Sequence, residues 1–215
     1  MKKILVLILF IVFAHNQFIM AQATFWVDIQ KNSSITINGT TNLLSFKLSQ
    51  SGEKLSKRTF TINASQVQNK IVLSQNEQII NVRDFNSNNK MALRDFLKLV
   101  KADTYPSFTI KLNYFEIDPK SINKDVSKAA TSIDISITGK TRQYTIPITS
   151  SHEGDLYTLK GTEKINIRDF GLKPPVEMMG LIQVNEWISI DFKIICKINI
   201  YKSSPEMNVT NTLKH

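Results

Sequence analysis

Ile188-Ser189-Ile190-Asp191-Phe192-Lys193-Ile194-Ile195-Cys196-Lys197-Ile198-Asn199-Ile200-Tyr201 is the stretch that decides the fold. Ile188, Ile190, Phe192, Ile194, Cys196, Ile198 and Ile200 fall on one side of an extended chain. Ser189, Asp191, Lys193, Lys197, Asn199 and Tyr201 fall on the other, and Ile195 breaks the order. Successive side chains of a strand point to opposite faces. A period of two with one apolar and one polar set is therefore a strand wetted on one side, the habit of antiparallel sheet.

The same alternation recurs upstream. Leu44, Phe46 and Leu48 share a face, as do Phe108, Ile110, Leu112 and Tyr114, then Ile133, Ile135 and Ile137, then Tyr144, Ile146 and Ile148. Gly139-Lys140 reads as a tight hairpin between the last two runs, and Gly154-Asp155 separates the next pair. Strands at this density predict an all-β meander, packed as a sandwich or closed as a barrel. One segment differs. Over residues 89–102, Met91, Leu93, Phe96, Leu97, Leu99 and Val100 have helical spacing; Asn88 or Asn89 would cap the start, and Tyr105-Pro106 would end it. A single helix among strands covers a barrel mouth or an open edge.

The first residues carry a different signal. Lys2 and Lys3 precede an apolar run at residues 4–14, and Ala21-Gln22-Ala23 is a small-x-small cleavage site. This predicts a signal peptide over residues 1–23 and a periplasmic or secreted protein. The run is shorter than the roughly 20 apolar residues of a spanning helix. Residues 24–202 then suit one barrel domain, and residues 203–215 lose the pattern and read as a flexible C-terminal tail. Cys196 is the single cysteine, so no internal disulfide braces the fold. The formal charge is +9, and loss of Lys2 and Lys3 leaves +7. The basic residues alternate with apolar ones and form no Arg-rich block, which argues against a nucleic-acid partner. They suit a solvated outer face, or peripheral contact with an anionic membrane surface at about 1 kcal/mol per cation near the lipid.

Catalytic material is scarce. Beyond the leader only His152 and His215 remain, and one Cys with two His does not make a zinc or copper site. The seven glycines are isolated, so no phosphate loop exists, and no nucleophile-elbow motif supports a triad through His152, which reads as a solvent-facing loop residue. Asp169 beside Arg168 reads as a turn or ion-pair residue, in a strand ending at Gly171. Glu163 and Asp191 lie in strands without a partnered carboxylate. Cys196 sits on the apolar face as an inert thiol. The expectation is a protein that is not an enzyme and needs no cofactor or metal.

Several segments together resemble the YceI-like family. They are Ile37-Asn38-Gly39-Thr40-Thr41-Asn42 before Ser45-Phe46; Asp84-Phe85-Asn86-Ser87 with Met91-Ala92-Leu93-Arg94-Asp95-Phe96-Leu97; Tyr105-Pro106-Ser107-Phe108-Thr109-Ile110; Gly139-Lys140-Thr141-Arg142; and Ile167-Arg168-Asp169-Phe170-Gly171-Leu172-Lys173-Pro174-Pro175. Leu43-Leu44 stands where members often carry His, Asp or Trp, and residues 52–76 match poorly. The resemblance implies an eight-stranded antiparallel lipocalin-like barrel with one helix near a mouth, export, and in some members a polyisoprenoid along the interior. The ligand-lining set expected on that reading is Leu44, Phe46, Met91, Phe96, Phe108, Ile110 and Leu112, with Ile135, Ile146, Ile167, Phe170, Ile190, Phe192 and Ile194. Burial at about 0.8 kcal/mol per CH₂ would hold such a chain. A filled core gives the same alternation, so an envelope structural or stress protein with no small-molecule ligand stands as the alternative. An incompletely closed barrel edge would also offer pairing with a second copy, a homodimer.

Overall fold

The structure, a computed structural model, describes residues 22–55, 58–118, 126–177 and 182–200. Most of the expected signal peptide (residues 1–21) and the expected tail lie outside these. Among the described residues thirteen strands and one α-helix follow in order: β1 (Gln22–Ile29), β2 (Ser34–Thr40), β3 (Ser45–Ser51), β4 (Thr59–Val67), β5 (Lys70–Ser74), β6 (Gln78–Asn81), α1 (Lys90–Leu99), β7 (Ser107–Ile117), β8 (Val126–Ile137), β9 (Lys140–Glu153), β10 (Leu156–Asn166), β11 (Val176–Glu177), β12 (Ile182–Gln183) and β13 (Trp187–Ile200). The ring runs β1-β4-β5-β7-β8-β9-β10-β13, and β13 pairs back onto β1. All these pairings are antiparallel, so the core is a closed eight-stranded barrel. Strands β2 and β3 extend the wall from β13 at one end, β6 extends it from β7, and β11 with β12 forms a separate ribbon.

The extra strands are the eight wall strands continued past interruptions. The first half of β13 pairs with β2 and the second half with β1, so β1 and β2 form one broken strand. The break is closed by a side chain. Gln30 N–H donates to the Ile195 carbonyl at 2.8 Å. The Ser33 hydroxyl donates to that carbonyl at 3.1 Å and accepts from Ile195 N–H at 2.9 Å. Ile195, the residue that breaks the alternation, sits opposite this insertion. A second break between β5 and β6 is closed likewise. Buried Asn76 donates to the Leu112 carbonyl at 2.8 Å and accepts from Leu112 N–H at 2.7 Å. Each side chain satisfies backbone groups that the ladder leaves open.

Three expectations are corrected in detail. A bulge between Leu112 and Tyr114 flips the parity of β7. Phe115 therefore faces the interior, while Tyr114 leaves the shared face and stacks under Lys70 Nζ at 4.2 Å. The β8–β9 hairpin turns on Thr138 and Gly139, with φ of 48° and 77°, one residue earlier than Gly139-Lys140. Two consecutive positive φ values match the right-handed twist of the strands they join. The helix starts on the expected cap, Asn89, whose side chain accepts from Ala92 N–H at 3.0 Å. It ends well before Tyr105-Pro106. Lys101 takes φ 53°, Lys101 N–H bonds Lys98 O at 3.0 Å and Ala102 N–H bonds Leu97 O at 3.0 Å. That is a Schellman stop without glycine.

Two short 3-10 turns share one design. Asn81-Val82-Arg83-Asp84-Phe85 and Asn166-Ile167-Arg168-Asp169-Phe170 both use the Asn side chain to accept from the Arg N–H, each at 2.9 Å. Arg83 pairs with Asp103 and Arg168 with Glu186. Both turns bury their aliphatic residue and their Phe in the main core. The Asp169 region is thus a turn and not a strand, and its arginine pairs elsewhere. Among the described residues no helix is long and apolar enough to cross a membrane.

Candidate ligand-binding site

The barrel encloses two apolar cavities. The helix-end cavity, of about 160 Å³, is walled by inward residues of β2, β3, β7, β8, β10 and β13, including Ile37, Leu48 and Ile188. It is closed over by Met91, Phe96 and Leu99 of α1, by Val100 just after its end, and by the turn carrying Ile167 and Phe170. The far cavity, of about 200 Å³, is walled by Val27, Ile29, Phe60, Ile62, Leu73, Phe115, Ile133, Cys196 and Ile198, among others. Ile35 and Ile110 line both, so the two spaces meet at one level of the barrel. A cavity of about 150 Å³ with walls of this kind stays dry and takes a benzene-sized guest.

Every residue expected to line a ligand faces one of these spaces. Leu44, Phe46, Met91, Phe96, Phe108, Ile135, Ile167, Phe170 and Ile190 line the helix-end cavity. Leu112, Ile146, Phe192 and Ile194 line the far one, and Ile110 lines both. Reasoning from sequence missed Ile35 and Ile37, on a strand interrupted just before them. It also missed Phe60, Ile62 and Leu73, within residues 52–76. Alternation of Phe60 and Ile62 with Thr59, Thr61 and Asn63 was the available signal.

Local packing sets the shape. Phe85 stacks edge-on against Phe96 at 5.4 Å and lies 6.0 Å from Phe108, tying α1 to the wall. Phe46 lies across Gly39, its strand partner, where an added Cβ would fall 2.2 Å from the ring. Gly161 leaves the far cavity open where Ile146 and Ile148 would crowd a side chain. The mouth is apolar and wet: Leu43 is 67% exposed, Leu44 54% and Met91 52%, and all three line the helix-end cavity.

Burial shifts the titratable groups near the interior toward their neutral forms. Burial, with a smaller contribution from Asp28, pushes the Cys196 thiol up to about 11. Burial first, then Asp169 and Glu163, raises the Tyr144 hydroxyl, and burial raises Glu163. Asp191 accepts from Asn38 at 2.7 Å and from Thr162 at 2.9 Å on the outer surface. His152 lies in β9 and not in a loop; it is exposed and stacks on Tyr157 at 6.1 Å. Among the described residues no group of three or more His, Cys, Asp or Glu is placed to hold a metal.

A closed antiparallel barrel with a capped, oil-lined interior invites comparison with known domains. The sequence profile of the YceI-like domain matches residues 19–196. The chain belongs to the YceI-like family. Its barrel is similar to the crystal structure of Burkholderia cenocepacia BcnA, with a TM-score of 0.57 at 19% identity, over 78% of this chain and 99% of that one. It is also similar to a polyisoprenoid binding domain from Saccharophagus degradans, with a TM-score of 0.56 at 9% identity, over 82% of this chain and 99% of that one. No curated protein matches it. At these identities the likeness establishes the YceI-like fold alone.

Proposed function

We propose that this YceI-like protein is an exported carrier or reservoir for a long apolar lipid of the polyisoprenoid class, held along the barrel axis, and that it is not an enzyme. The observation that carries the reading is the pair of apolar cavities meeting at Ile35 and Ile110. A packed barrel leaves few voids larger than a water molecule. These two spaces are each large enough for a guest of about six carbons, judged by the 150 Å³ benzene precedent. That favours a ligand over the filled-barrel, structural reading. The exposed rim of Leu43, Leu44 and Met91 would receive the chain, with α1 moving as the lid. The Saccharophagus domain is described as polyisoprenoid binding, and its likeness in fold supports the choice of lipid. The Lys-Lys leader and its cleavage site support export.

Native mass spectrometry of the protein purified from its own envelope tests the reading. The expected result is an added mass that organic extraction removes and that leaves the protein folded. A preparation that carries no lipid, and takes up neither farnesol nor geranylgeraniol when offered, would refute it.

A further inference from the structure

The mouth at the helix end combines exposed apolar side chains with unpaired positive charge. Its two leucines are held outward by their own turn. Thr41 N–H donates to the Leu44 carbonyl at 2.7 Å, and the Thr41 hydroxyl donates to the same carbonyl at 3.0 Å. That hydroxyl also accepts from Leu43 N–H at 3.1 Å and from Leu44 N–H at 3.0 Å. Asn42 ties the turn to β12: its N–H donates to the Gln183 carbonyl at 3.2 Å, and its side chain accepts from Gln183 N–H at 3.1 Å. Leu43 and Leu44 are thus fixed in water, at the same opening as exposed Met91 of α1. Trp187, the first residue of β13, and Tyr105, just before β7, are exposed at the same end. Single exposed apolar residues are ordinary, but a set gathered around one opening marks an interaction surface.

The charge is organised as well. Lys90, Arg94, Lys98 and Lys101 recur at helical spacing along α1 and its stop, and all four are exposed. The opposite side of α1, with Leu93, Phe96 and Leu97, packs on the barrel core, so the stripe points away from the barrel. The arginines of this end are matched: Arg94 with Asp95, Arg83 with Asp103 and Arg168 with Glu186. The lysines are not. Lys47 and Lys173 each adjoin a cavity-lining residue, Phe46 and Leu172, and Lys140 reaches over Gly171 of the closing turn. These three and Lys90, Lys98 and Lys101 are exposed and form no ion pair with a described residue. Of the acids near them, Asp84 and Asp169 form none either. Toward the opposite end lysines do find acids: Lys31 pairs with Glu53 and Lys197 with Asp155.

We infer that the helix-end mouth docks on an anionic bilayer. Leu43, Leu44 and Met91 enter the headgroup boundary, the α1 stripe lies along the phosphates, and the lipid passes between membrane and barrel without crossing water. The inference rests on the carrier reading and names the surface from which its ligand comes. Lysines close to an anionic leaflet are attracted to it, and the exposed leucines gain a lipid environment. A second copy of the chain does not suit this face, because a two-fold contact would set the same lysines against one another.

The test is flotation of the full chain with two kinds of vesicle: phosphatidylcholine alone, and phosphatidylcholine with about one-third phosphatidylglycerol. Wild type is expected to float with the anionic vesicles, to be released at about 0.5 M NaCl, and not to float with the neutral ones. Two triple variants carry the same change in net charge. Lys90→Gln with Lys98→Gln and Lys101→Gln is expected to weaken partitioning roughly a hundredfold. Lys54→Gln with Lys111→Gln and Lys193→Gln, away from the mouth, is expected to bind as wild type does. Hydrogen exchange of the wild-type protein on anionic vesicles is expected to slow at residues 41–44 and 90–102 and not at the hairpin of residues 153–156, a reading that needs no variant. Absence of flotation, equal loss in both variants, or protection at the hairpin in place of the mouth overturns the inference. Uptake of farnesol from solution by the same protein then leaves the carrier reading standing. Failure to take up farnesol or geranylgeraniol overturns the carrier reading and this inference with it.

Discussion

Ile110→Trp should cut the ligand space in two. Ile110, like Ile35, lines both cavities at the level where they adjoin. An indole there projects into the void and separates the far cavity, of about 200 Å³, from the mouth. By the benzene precedent that space takes at least six carbons. At about 0.8 kcal/mol per buried CH₂ those carbons contribute about 5 kcal/mol gross. Ordering the chain offsets part of this, leaving about 2–3 kcal/mol, or a loss of roughly 30- to 150-fold in affinity. The assay is calorimetry with prenols of five, ten and fifteen carbons. Wild-type affinity should climb with each isoprene unit, and the variant's should stop climbing once the helix-end cavity, of about 160 Å³, is full. Overpacking costs about 1–3 kcal/mol where no room exists, but here the ring enters a void, so the circular dichroism and melting of the variant should stay near wild type. If a folded Ile110→Trp protein binds the fifteen-carbon prenol as tightly as wild type, the chain does not run through the barrel.

Four other outcomes follow from the packing. Gly39→Ala forces the Phe46 ring off its strand partner; the overpacking should cost about 1–3 kcal/mol in urea unfolding, and the displaced ring should weaken prenol binding. Gln50→Leu removes a buried amide that bonds nothing; the ligand-free protein should gain about 1–3 kcal/mol, read from the urea midpoint. Cys196, pushed up to about 11 and lining the far cavity, should resist iodoacetamide at pH 8 until urea is added. Its raised folded value means that the unfolded thiol ionises first. The protein should therefore hold its stability below the ordinary thiol range and lose about 2–3 kcal/mol as pH climbs from 9 to about 11, and Cys196→Val should remove that loss. Leu43→Ser with Leu44→Ser strips the exposed rim; stopped-flow uptake of farnesol should slow several-fold while the melting temperature holds.

Much of the architecture was legible because alternation is a direct image of the strand. The run from Ile188 to Ile200 alternates in the sequence, and Ile188 through Ile198 do line the interior. Misreadings arose where one local event overrode the period. The bulge beside Asn113 swapped Tyr114 for Phe115. The Ser33 and Asn76 side chains stand in for missing ladder bonds and break two wall strands into short pieces with little alternation of their own. Lys101 stopped α1 in a left-handed conformation that a lysine seldom announces. The paired Asn-aliphatic-Arg-Asp-Phe turns are present in the sequence, but they lie far apart and follow no fixed period, so they do not register as a tandem repeat.

Alternation is blind to volume, and volume separates a carrier from a plug. Ile146, Phe192 and Ile194 would face inward in either. What holds the space open is a small set of positions. Gly161 supplies no side chain where Ile146 and Ile148 close in, and Gly39 lets Phe46 lie flat along the wall. None of these residues looks unusual alone, and each acquires meaning only from its partner across the barrel. The same holds at the mouth. Leu43 and Leu44 turn outward as the rim of the helix-end cavity. Polar residues there would let water compete with the chain at the threshold. Two leucines instead extend the apolar lining of the interior to the surface, which lowers the barrier a lipid would meet on entering the barrel.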